Sequence, residues 1–438
     1  MPRPTFPIAL VLAAAVAAGA PLAPRAQPAP SRVVAIGDIH GSLEGARAIL
    51  RATGLIDNGG HWSGGTATLV QTGDVTDRGA DVRAVLDLLR RLSDEATAAG
   101  GRVLPLLGNH EVMNLLGNLR DVTPGICAAF AGPDAGKRRD EAWREYERLG
   151  AWRARERRGE QPPGLERTKA AFMAAFPPGC LEYRAALGPE GDYGRWLRTL
   201  PIAVKVGRTV FMHAGPPPDT TAALDALNER ARDEIARADA LLARLTDAGL
   251  AAPWFRLEDT LAVAAAEVRW VNARVARADT EGQAPDLRGV DAALVQQAAD
   301  FLKVGDWSLL KGDGPLWYRG YATAGAAALD APVTALLARW DADRLVVGHS
   351  VTPDFRIRPR LDGRLFLIDT GMLTAVYKGR ASALEFDGRR RPRHLRRRPP
   401  RRPGAGTPVG VAGTPARQRP SAQATVRRRP SSNGTSGA

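Results

Sequence analysis

Residues 102–114, RVLPLLGNHEVMN, place an Asn, a His and a Glu directly after an apolar run. The run is short and apolar, which predicts a buried strand. Gly108 gives the backbone room to turn where the strand ends. The chain therefore presents Asn109 and His110 at the end of a strand, and these two neighbours either share one function or have two.

Five other stretches show the same pattern of a short apolar run that ends in a Gly-containing turn. Residues 81–100, between two of these runs, have apolar side chains at helical spacing. Strands that alternate with helices predict a layered α/β domain. Residues 115–200 and 220–303 are helical in pattern and predict insertions over one end of the sheet. The five runs are RVVAIGD, ATLVQTGD, TVFMHAG, RLVVGHS and LFLIDTG.

Residues 1–29 have the composition of a secretory signal peptide. Arg3 precedes an apolar run from Ile8 to Ala20, and a segment rich in Pro and small residues follows. This run is too short to cross a bilayer comfortably, and no later run approaches transmembrane length. We therefore predict cleavage after Ala26 or Ala29 and an exported protein, periplasmic or secreted. An uncleaved membrane anchor is the alternative.

The net charge of +14 comes from the C-terminal tail. Residues 388–438 contain 14 Arg and no acidic residue, so the rest of the chain is balanced in charge. The tail is rich in Pro, Ser and Gly and has no apolar periodicity, which predicts a disordered segment. Weak electrostatic contact with a polyanion, such as nucleic acid or an anionic membrane surface, is one expectation for it. A solvated extension without a partner is the other.

The predicted strand ends carry carboxylates, imidazoles and an amide. In open α/β sheets, ligands bind beyond the carboxyl ends of the strands, so these side chains are expected to meet in one crevice. Four of the six His residues fall at these turns. Carboxylate oxygen and imidazole nitrogen suit two divalent cations such as Mn, Fe or Zn, and Arg78 offers a planar fork for phosphate oxygens. The candidates are Asp38, His40, Asp74, Asp77, Asn109, His110, Glu111, His213 and His349.

The motifs GDIHG, GDVTDRG and GNHE, in this order, resemble those of the calcineurin-like metallophosphoesterases of the phosphoprotein phosphatase type. The longer GNHEVMN and the later GPLWYRG are similar to motifs of the Shewanella-like branch of that family. The resemblance covers residues 32–387 and implies an α/β fold, with a central β-sandwich flanked by helices and interrupted by helical insertions. It also implies a centre with two metal ions.

The resemblance assigns roles by position. It implies that Asp74 bridges the two metals and that His110 is the catalytic acid, supported by Asp77. Arg78 is implied to bind phosphate, and Arg319 is our candidate for a second phosphate-binding arginine; a surface Arg paired with an acid is the alternative. We expect Glu111 to support the site without binding metal. The implied ligands are Asp38, His40 and Asp74 for the first metal, and Asn109, His213 and His349 beside Asp74 for the second.

The resemblance implies hydrolysis of phosphomonoesters by a metal-activated hydroxide, with phosphoproteins as expected substrates. Phosphatases of small metabolites or of diadenosine polyphosphates are alternatives within the same enzyme class. A degenerate scaffold that binds a polyanion through the basic tail is the alternative from another class.

Cys127 and Cys180 are the only two cysteines of the chain. An exported protein meets an oxidising compartment, which permits a disulfide bond. We therefore predict that the two residues form a disulfide. Two buried free thiols are the alternative, because sequence alone does not show that the pair is within reach.

Overall fold

The computed structural model describes residues 32–156, 165, 167–387 and 392–396. The chain divides into two compact units, residues 1–397 and 398–438. The whole second unit and the predicted signal peptide lie outside the described residues. Within the described part of the chain, no helix is long and apolar enough to cross a membrane.

The described residues form ten strands. All six strands predicted from the short apolar runs are present, as β1, β2, β3, β5, β6 and β8 in the numbering that follows. The strands are β1 Arg32–Ile36, β2 Thr68–Gln71, β3 Arg102–Pro105, β4 Ala203–Val206, β5 Thr209–Met212, β6 Arg344–Val347, β7 Arg358–Arg360, β8 Leu365–Leu367, β9 Ser382–Asp387 and β10 Arg393–Arg396.

The strands form two five-stranded mixed sheets. The first sheet has the order β10-β9-β1-β2-β3, and the second has the order β4-β5-β6-β8-β7. β1, β2 and β3 are parallel to one another, and so are β5, β6 and β8. In each sheet, three polar turns therefore leave the carboxyl ends of parallel strands on the same side, as the sequence predicts.

The two sheets pack on each other through a small apolar core. Val33 and Ala35 of β1 point into this core, while Val34 and Ile36 point to the opposite face of the sheet, because side chains alternate along a strand. Phe211 enters the core from β5 and is fully buried. Burial of such a side chain stabilises the fold by roughly 1.5–3 kcal/mol. The core fixes the two sheets as a sandwich and thereby aligns their polar edges.

Helices cover the outer faces of the sandwich. α2 connects β2 to β3. The apolar side chains that the sequence places at helical spacing in α2 are buried, which anchors this helix on the core. α3 follows β3 directly and begins at Asn109. Outside the insertions the helices are α1 Leu43–Ala52, α2 Val82–Ala98, α3 Asn109–Leu115, α12 Gly320–Thr323, α13 Ala326–Arg339 and α14 Thr374–Tyr377.

Both predicted insertions are helical. In the first, Cys127 and Cys180 form a disulfide that joins α4 to α7, which confirms the predicted pairing. The insertion helices are α4 Pro124–Phe130, α5 Ala135–Glu156, α6 Lys169–Ala175, α7 Cys180–Leu187 and α8 Asp192–Thr199 in the first, and α9 Leu224–Asp247, α10 Leu257–Thr280 and α11 Ala292–Phe301 in the second.

One part of the predicted disordered tail is ordered. Arg393–Arg396 form β10, which pairs antiparallel with β9 at the edge of the first sheet. The prediction is wrong for these four residues, because a strand at a sheet edge needs backbone pairing on one side only and tolerates exposed charged side chains. The remainder of the predicted tail, apart from residue 392, lies outside the described residues.

Candidate active site

The polar turns of the two sheets meet at one edge of the sandwich. The His213 ring, from the second sheet, hydrogen-bonds with its Nδ1 to the Thr72 carbonyl at the end of β2. The backbone amide of His349 donates to Asp38 Oδ1, 3.1 Å away. These bonds join the carboxyl ends of strands from both sheets. All nine predicted strand-end candidates are buried.

Left-handed backbone conformation is concentrated at this edge. Non-glycine residues rarely have a positive φ, and clusters of them occur at functional sites. Five of the predicted site residues have φ between +47° and +70°. They are His40, Asp74, Asp77, Arg78 and His349.

Asp74 lies at the centre of the cluster. Its Oδ2 is 3.6 Å from His40 Nε2, 3.4 Å from His213 Nε2 and 3.9 Å from His110 Nε2. Its Oδ1 accepts a hydrogen bond from the backbone amide of His110. One carboxylate oxygen thus faces three imidazoles, which is the position expected of a residue shared by two ligand sets.

His213 Nε2 lies close to two other hydrogen-bond acceptor atoms, Asn109 Oδ1 and His349 Nδ1. The Thr72 and Trp317 carbonyls only accept hydrogen bonds, so the proton of the His213 ring is on Nδ1 and that of the His349 ring is on Nε2. The unprotonated His213 Nε2 therefore lies 2.8 Å from Asn109 Oδ1 and 3.0 Å from the unprotonated His349 Nδ1. This arrangement is unfavourable by itself and fits a bound cation.

The His40 side of the cluster has a different partner. His40 Nδ1 donates to the Thr76 carbonyl, which leaves Nε2 as the acceptor. An Arg78 guanidinium nitrogen donates to this Nε2 and also to the Tyr377 hydroxyl. On this side, the cationic guanidinium of Arg78 lies against His40 Nε2, the atom that this predicted metal ligand offers.

The surroundings of three buried carboxyl groups, those of Asp38, Asp74 and Asp369, disfavour their ionised forms. Burial raises the pKa of Asp74 to about 7 and that of Asp369 to about 6. Burial and the nearby carboxylates of Asp369 and Asp74 raise the pKa of Asp38 well above its usual range. A cation among these groups would favour their ionised forms.

The neutral form of the imidazole is favoured at His40, His213 and His349. Burial is the main cause that lowers the pKa of His40 and of His213 well below the usual value. Burial and the nearby Arg319 lower the pKa of His349 to about 3. Neutral imidazole is the form that binds metal ions, so the donor set of this site fits divalent metals.

His110 is bound to a carboxylate partner of its own, Asp77. Its Nδ1 lies 2.6 Å from Asp77 Oδ2, and the other oxygen of Asp77 accepts from Asn114 Nδ2 at 2.9 Å. Burial alone would lower the pKa of His110, but the carboxylates of Asp74 and Asp77 outweigh it and raise the pKa. The charged imidazolium is therefore favoured, which suits an acid. Asn109 and His110 thus have different partners.

Glu111 holds the turn that carries Asp74. Its carboxylate accepts hydrogen bonds from the backbone amides of Asp74, Val75, Thr76 and Gly108. A Cβ atom at Gly108 would lie 2.2 Å from Asp74 Oδ1, so only glycine fits there. Glu111 supports the site and lies among backbone donors.

Arg319 lies beside the cluster. Its guanidinium donates to the His349 carbonyl and to the Ser350 hydroxyl, each at 3.2 Å. These two partners of Arg319 are a carbonyl and a hydroxyl, and neither is the acid of the alternative interpretation. Arg78 and Arg319 both lie next to imidazoles of the cluster.

A family model described as calcineurin-like phosphoesterase matches residues 31–260. The chain belongs to the calcineurin-like phosphoesterase family. This finding confirms the family that the three motifs predict, and the mixed two-sheet architecture confirms the predicted fold class.

Two curated relatives carry the name of the branch that GNHEVMN and GPLWYRG predict. Shewanella-like protein phosphatase 2 of Arabidopsis thaliana is 36% identical over 197 residues, which are 42% of this chain and 46% of that protein. Shewanella-like protein phosphatase 1 of Plasmodium berghei (strain Anka) is 30% identical over 184 residues, which are 42% of this chain and 39% of that protein. The match spans less than half the length of either relative.

A solved structure of a point mutant of a cold-active protein tyrosine phosphatase has a similar fold. It superposes with a TM-score of 0.50 at 22% identity, and the superposition covers 84% of this chain and 80% of that chain. This likeness supports the fold of this calcineurin-like phosphoesterase.

Two groups of potential ligand atoms share Asp74. His40, Asp74 and His110 form one group, and Asp74, His213 and His349 form the other; within each group the atoms lie within 4.8 Å of one another. Asp38 lies beside these groups, since its Oδ1 accepts a hydrogen bond from the backbone amide of His349. The structure thus brings all of the predicted metal ligands together.

Three site residues are absent from the predicted set. Asp369 follows β8 and contacts the Asp38 carboxyl group, and the strand-end pattern of LFLIDTG could have identified it. Asn114 lies one helical turn after His110, so GNHEVMN contains it without indicating its role. Tyr377 contacts Arg78 from α14, and no sequence signal marks it.

Proposed function

We propose that the protein is a metal-dependent phosphomonoesterase that acts on phosphorylated proteins. The observation that carries this proposal is the position of Asp74 Oδ2, within 3.9 Å of three imidazole nitrogens that belong to turns of both sheets. An arginine fork and an acidic histidine lie next to this cluster, which are the further groups that phosphoester hydrolysis requires.

The chain offers ligands for two divalent metals. Asp38, His40 and Asp74 would hold one metal, and Asp74, Asn109, His213 and His349 would hold the other. Bound there, the metals supply positive charge against the phosphate oxygens and lower the pKa of a water molecule. Oxygen and nitrogen donors fit Mn²⁺, Fe or Zn²⁺, and Mn²⁺ is our choice for assay.

The protein residues then have separate tasks. Arg78 would orient the phosphate through its planar fork, with Arg319 as a second cation beside His349. Asp77 holds His110 by its Nδ1–H, so Nε2 carries the second proton of the imidazolium. His110 would give this Nε2 proton to the ester oxygen of the leaving alkoxide as the bond to phosphorus breaks.

The proposed substrates are phosphoproteins because two curated relatives are named protein phosphatases. A small phosphorylated metabolite is the second candidate, since the proposed export leaves few obvious phosphoproteins within reach. Export itself rests on the signal-like composition of residues 1–29 and agrees with a disulfide between Cys127 and Cys180. Mass spectrometry of the mature N-terminus would test it.

The function is tested on the mature protein with a panel of substrates. Nitrophenyl phosphate, phosphoserine, phosphothreonine and phosphotyrosine peptides and phosphorylated metabolites are assayed with and without Mn²⁺, together with metal analysis. We expect Mn²⁺-dependent turnover that a chelator removes and added metal restores. Metal binding without turnover of any ester would instead support a polyanion-binding scaffold and refute the proposal.

A further inference from the structure

A tyrosine of the first helical insertion is hydrogen-bonded into the active site. Tyr183 lies on α7 and is fully buried, and its hydroxyl donates to Asn114 Oδ1 at 2.9 Å. Asn114 Nδ2 donates to Asp77 Oδ1 at 2.9 Å and to the His110 carbonyl at 2.8 Å. Asp77 Oδ2, in turn, lies 2.6 Å from His110 Nδ1. A continuous chain of hydrogen bonds therefore runs from the insertion to the proposed acid.

The direction of each bond in this chain is fixed. Two acceptors, the Asp77 carboxylate and the His110 carbonyl, lie on the Nδ2 side of Asn114, so its oxygen faces Tyr183. A flipped amide would place an oxygen against a carboxylate, which is unfavourable. The Tyr183 hydroxyl is the donor that stabilises the correct amide orientation.

Tyr183 is itself held in place. α7 begins three residues earlier at Cys180, whose disulfide bond joins this helix to α4. Phe130 of α4 packs edge-on against the tyrosine ring, with ring centroids 5.0 Å apart. Burial and the nearby carboxylate of Asp77 raise the pKa of Tyr183 well above its usual value, so the hydroxyl keeps its proton and remains a donor.

We propose that Tyr183 is a positioning residue for the acid His110 and acts through Asn114 and Asp77. The inference rests on the proposed function. The carboxylate of Asp77 could rotate if it were bound to His110 alone. The bond from Asn114 holds the second carboxylate oxygen, and the bond from Tyr183 holds Asn114. The first insertion therefore supplies a part of the catalytic geometry that the sandwich lacks.

The test removes one oxygen atom. Tyr183→Phe keeps the ring against Phe130 and leaves Asn114 Oδ1 without the Tyr183 hydroxyl. Tyr193→Phe is the matched control: this ring also packs against Phe130, with centroids 5.7 Å apart, but its hydroxyl donates to Asp87. Asp87 lies on α2 and has no part in the proposed site.

We expect Tyr183→Phe to lower kcat about 5- to 10-fold on a phosphoserine peptide, the effect of one lost hydrogen bond. On nitrophenyl phosphate, whose leaving group needs no proton, the change is expected to be under about 2-fold. Metal content and KM stay the same, and Tyr193→Phe changes neither rate. An equal loss on both substrates, or an equal loss in both variants, would show that Tyr183 is only structural.

A double-mutant cycle tests the route of the effect. In a His110→Asn background, Tyr183→Phe should lower the remaining rate no further, because the group that it positions is gone. A further loss of the same size as in the wild-type protein would overturn the proposal.

A measurement without turnover separates this inference from the proposed function. With ¹⁵N-labelled histidine, the Nδ1–H proton of His110 should give a low-field NMR signal, because it lies in a short bond to Asp77. Tyr183→Phe should shift or broaden that signal, and Tyr193→Phe should not. If the signal responds to Tyr183→Phe but no ester is hydrolysed, the proposed function is refuted and the positioning role is not. If esters are hydrolysed but the signal is unchanged by Tyr183→Phe, the positioning role is refuted and the proposed function is not.

Discussion

The turns at the strand ends and the helices of the first insertion differ in how their polar groups are satisfied. At the turns, five predicted site residues have left-handed backbone, and lone pairs of imidazole and amide face one another. In the insertion, the side chains of Thr123 and Thr168 cap α4 and α6, and a disulfide joins α4 to α7.

The difference shows that the two regions contribute to stability with opposite sign. A strained backbone conformation costs on the order of 1–3 kcal/mol for each residue. A helix cap stabilises by roughly 1 kcal/mol, and a disulfide that closes a loop of this length stabilises by roughly 4 kcal/mol. The helix caps and the disulfide of the insertion therefore offset part of the free-energy cost of the strained backbone at the site.

Asp74→Asn should have the largest effect on function. It removes the shared carboxylate, so metal content should fall and turnover of alkyl and aryl phosphates should be lost together. The metal-free variant should unfold at no lower urea concentration than the metal-free wild-type protein, because a buried carboxylate is removed and the bond from the His110 amide can remain. Metal analysis, kinetics and urea unfolding measure the three effects. A clear loss of stability in the metal-free state would break the comparison between the regions.

His110→Asn should lower kcat on phosphoserine peptides by roughly 10²–10⁴-fold, the range of general acid catalysis. The loss should be smaller on nitrophenyl phosphate. Metal content should be retained, since Asn109, His213 and His349 remain, and Asp77→Asn should act in the same direction by less. If His110→Asn loses metal while His349→Asn does not, the roles of the two histidines are reversed.

Replacement of both cysteines by serine tests the contribution of the first insertion to stability. The free energy of unfolding should fall by roughly 4 kcal/mol, because the bond constrains the unfolded chain. Turnover of nitrophenyl phosphate by the folded fraction should not change. Urea unfolding measures the first quantity, and Ellman titration of unreduced, denatured wild-type protein provides the control, with no free thiol expected. Loss of kcat in fully folded protein would show that the insertion also fixes the metal site.

Truncation after Arg396 should have the smallest effect. It keeps β10 and removes only residues beyond the described part of the chain, while all predicted metal ligands lie before position 350. We expect an unchanged kcat on nitrophenyl phosphate. Truncation after Asp387, by contrast, removes β10 and should lower the free energy of unfolding, because it exposes the edge of β9. A loss of kcat in the folded protein truncated after Arg396 would place the tail in the active site.

The sequence predicts those parts of the site that are local to a strand end. Asp38, Asp74 and His213 each follow an apolar run within a few residues. The same short stretch therefore predicts both the strand and the ligand at its end. Tyr183 is different, because it reaches Asn114 from 69 positions away through packing of a helix that no local pattern orients.

The end of the fold could not be predicted for a related reason. β10 is a short edge strand in an arginine-rich segment, and its order comes from pairing with β9.

Asp369 carries the strand-end pattern but matches none of the motifs that identify the family. Its role depends on contact with Asp38, which follows β1 of the other sheet.

The pairing of β1 with β9 has a consequence for how the protein is made. The Arg32 side chain bonds to Glu385, 353 positions away in sequence. During synthesis at about 5–20 residues per second, β1 would wait roughly 20–70 s for this partner. The first sheet therefore keeps an open strand edge in every nascent chain that ends before β9, and such chains are expected to need a chaperone to avoid aggregation.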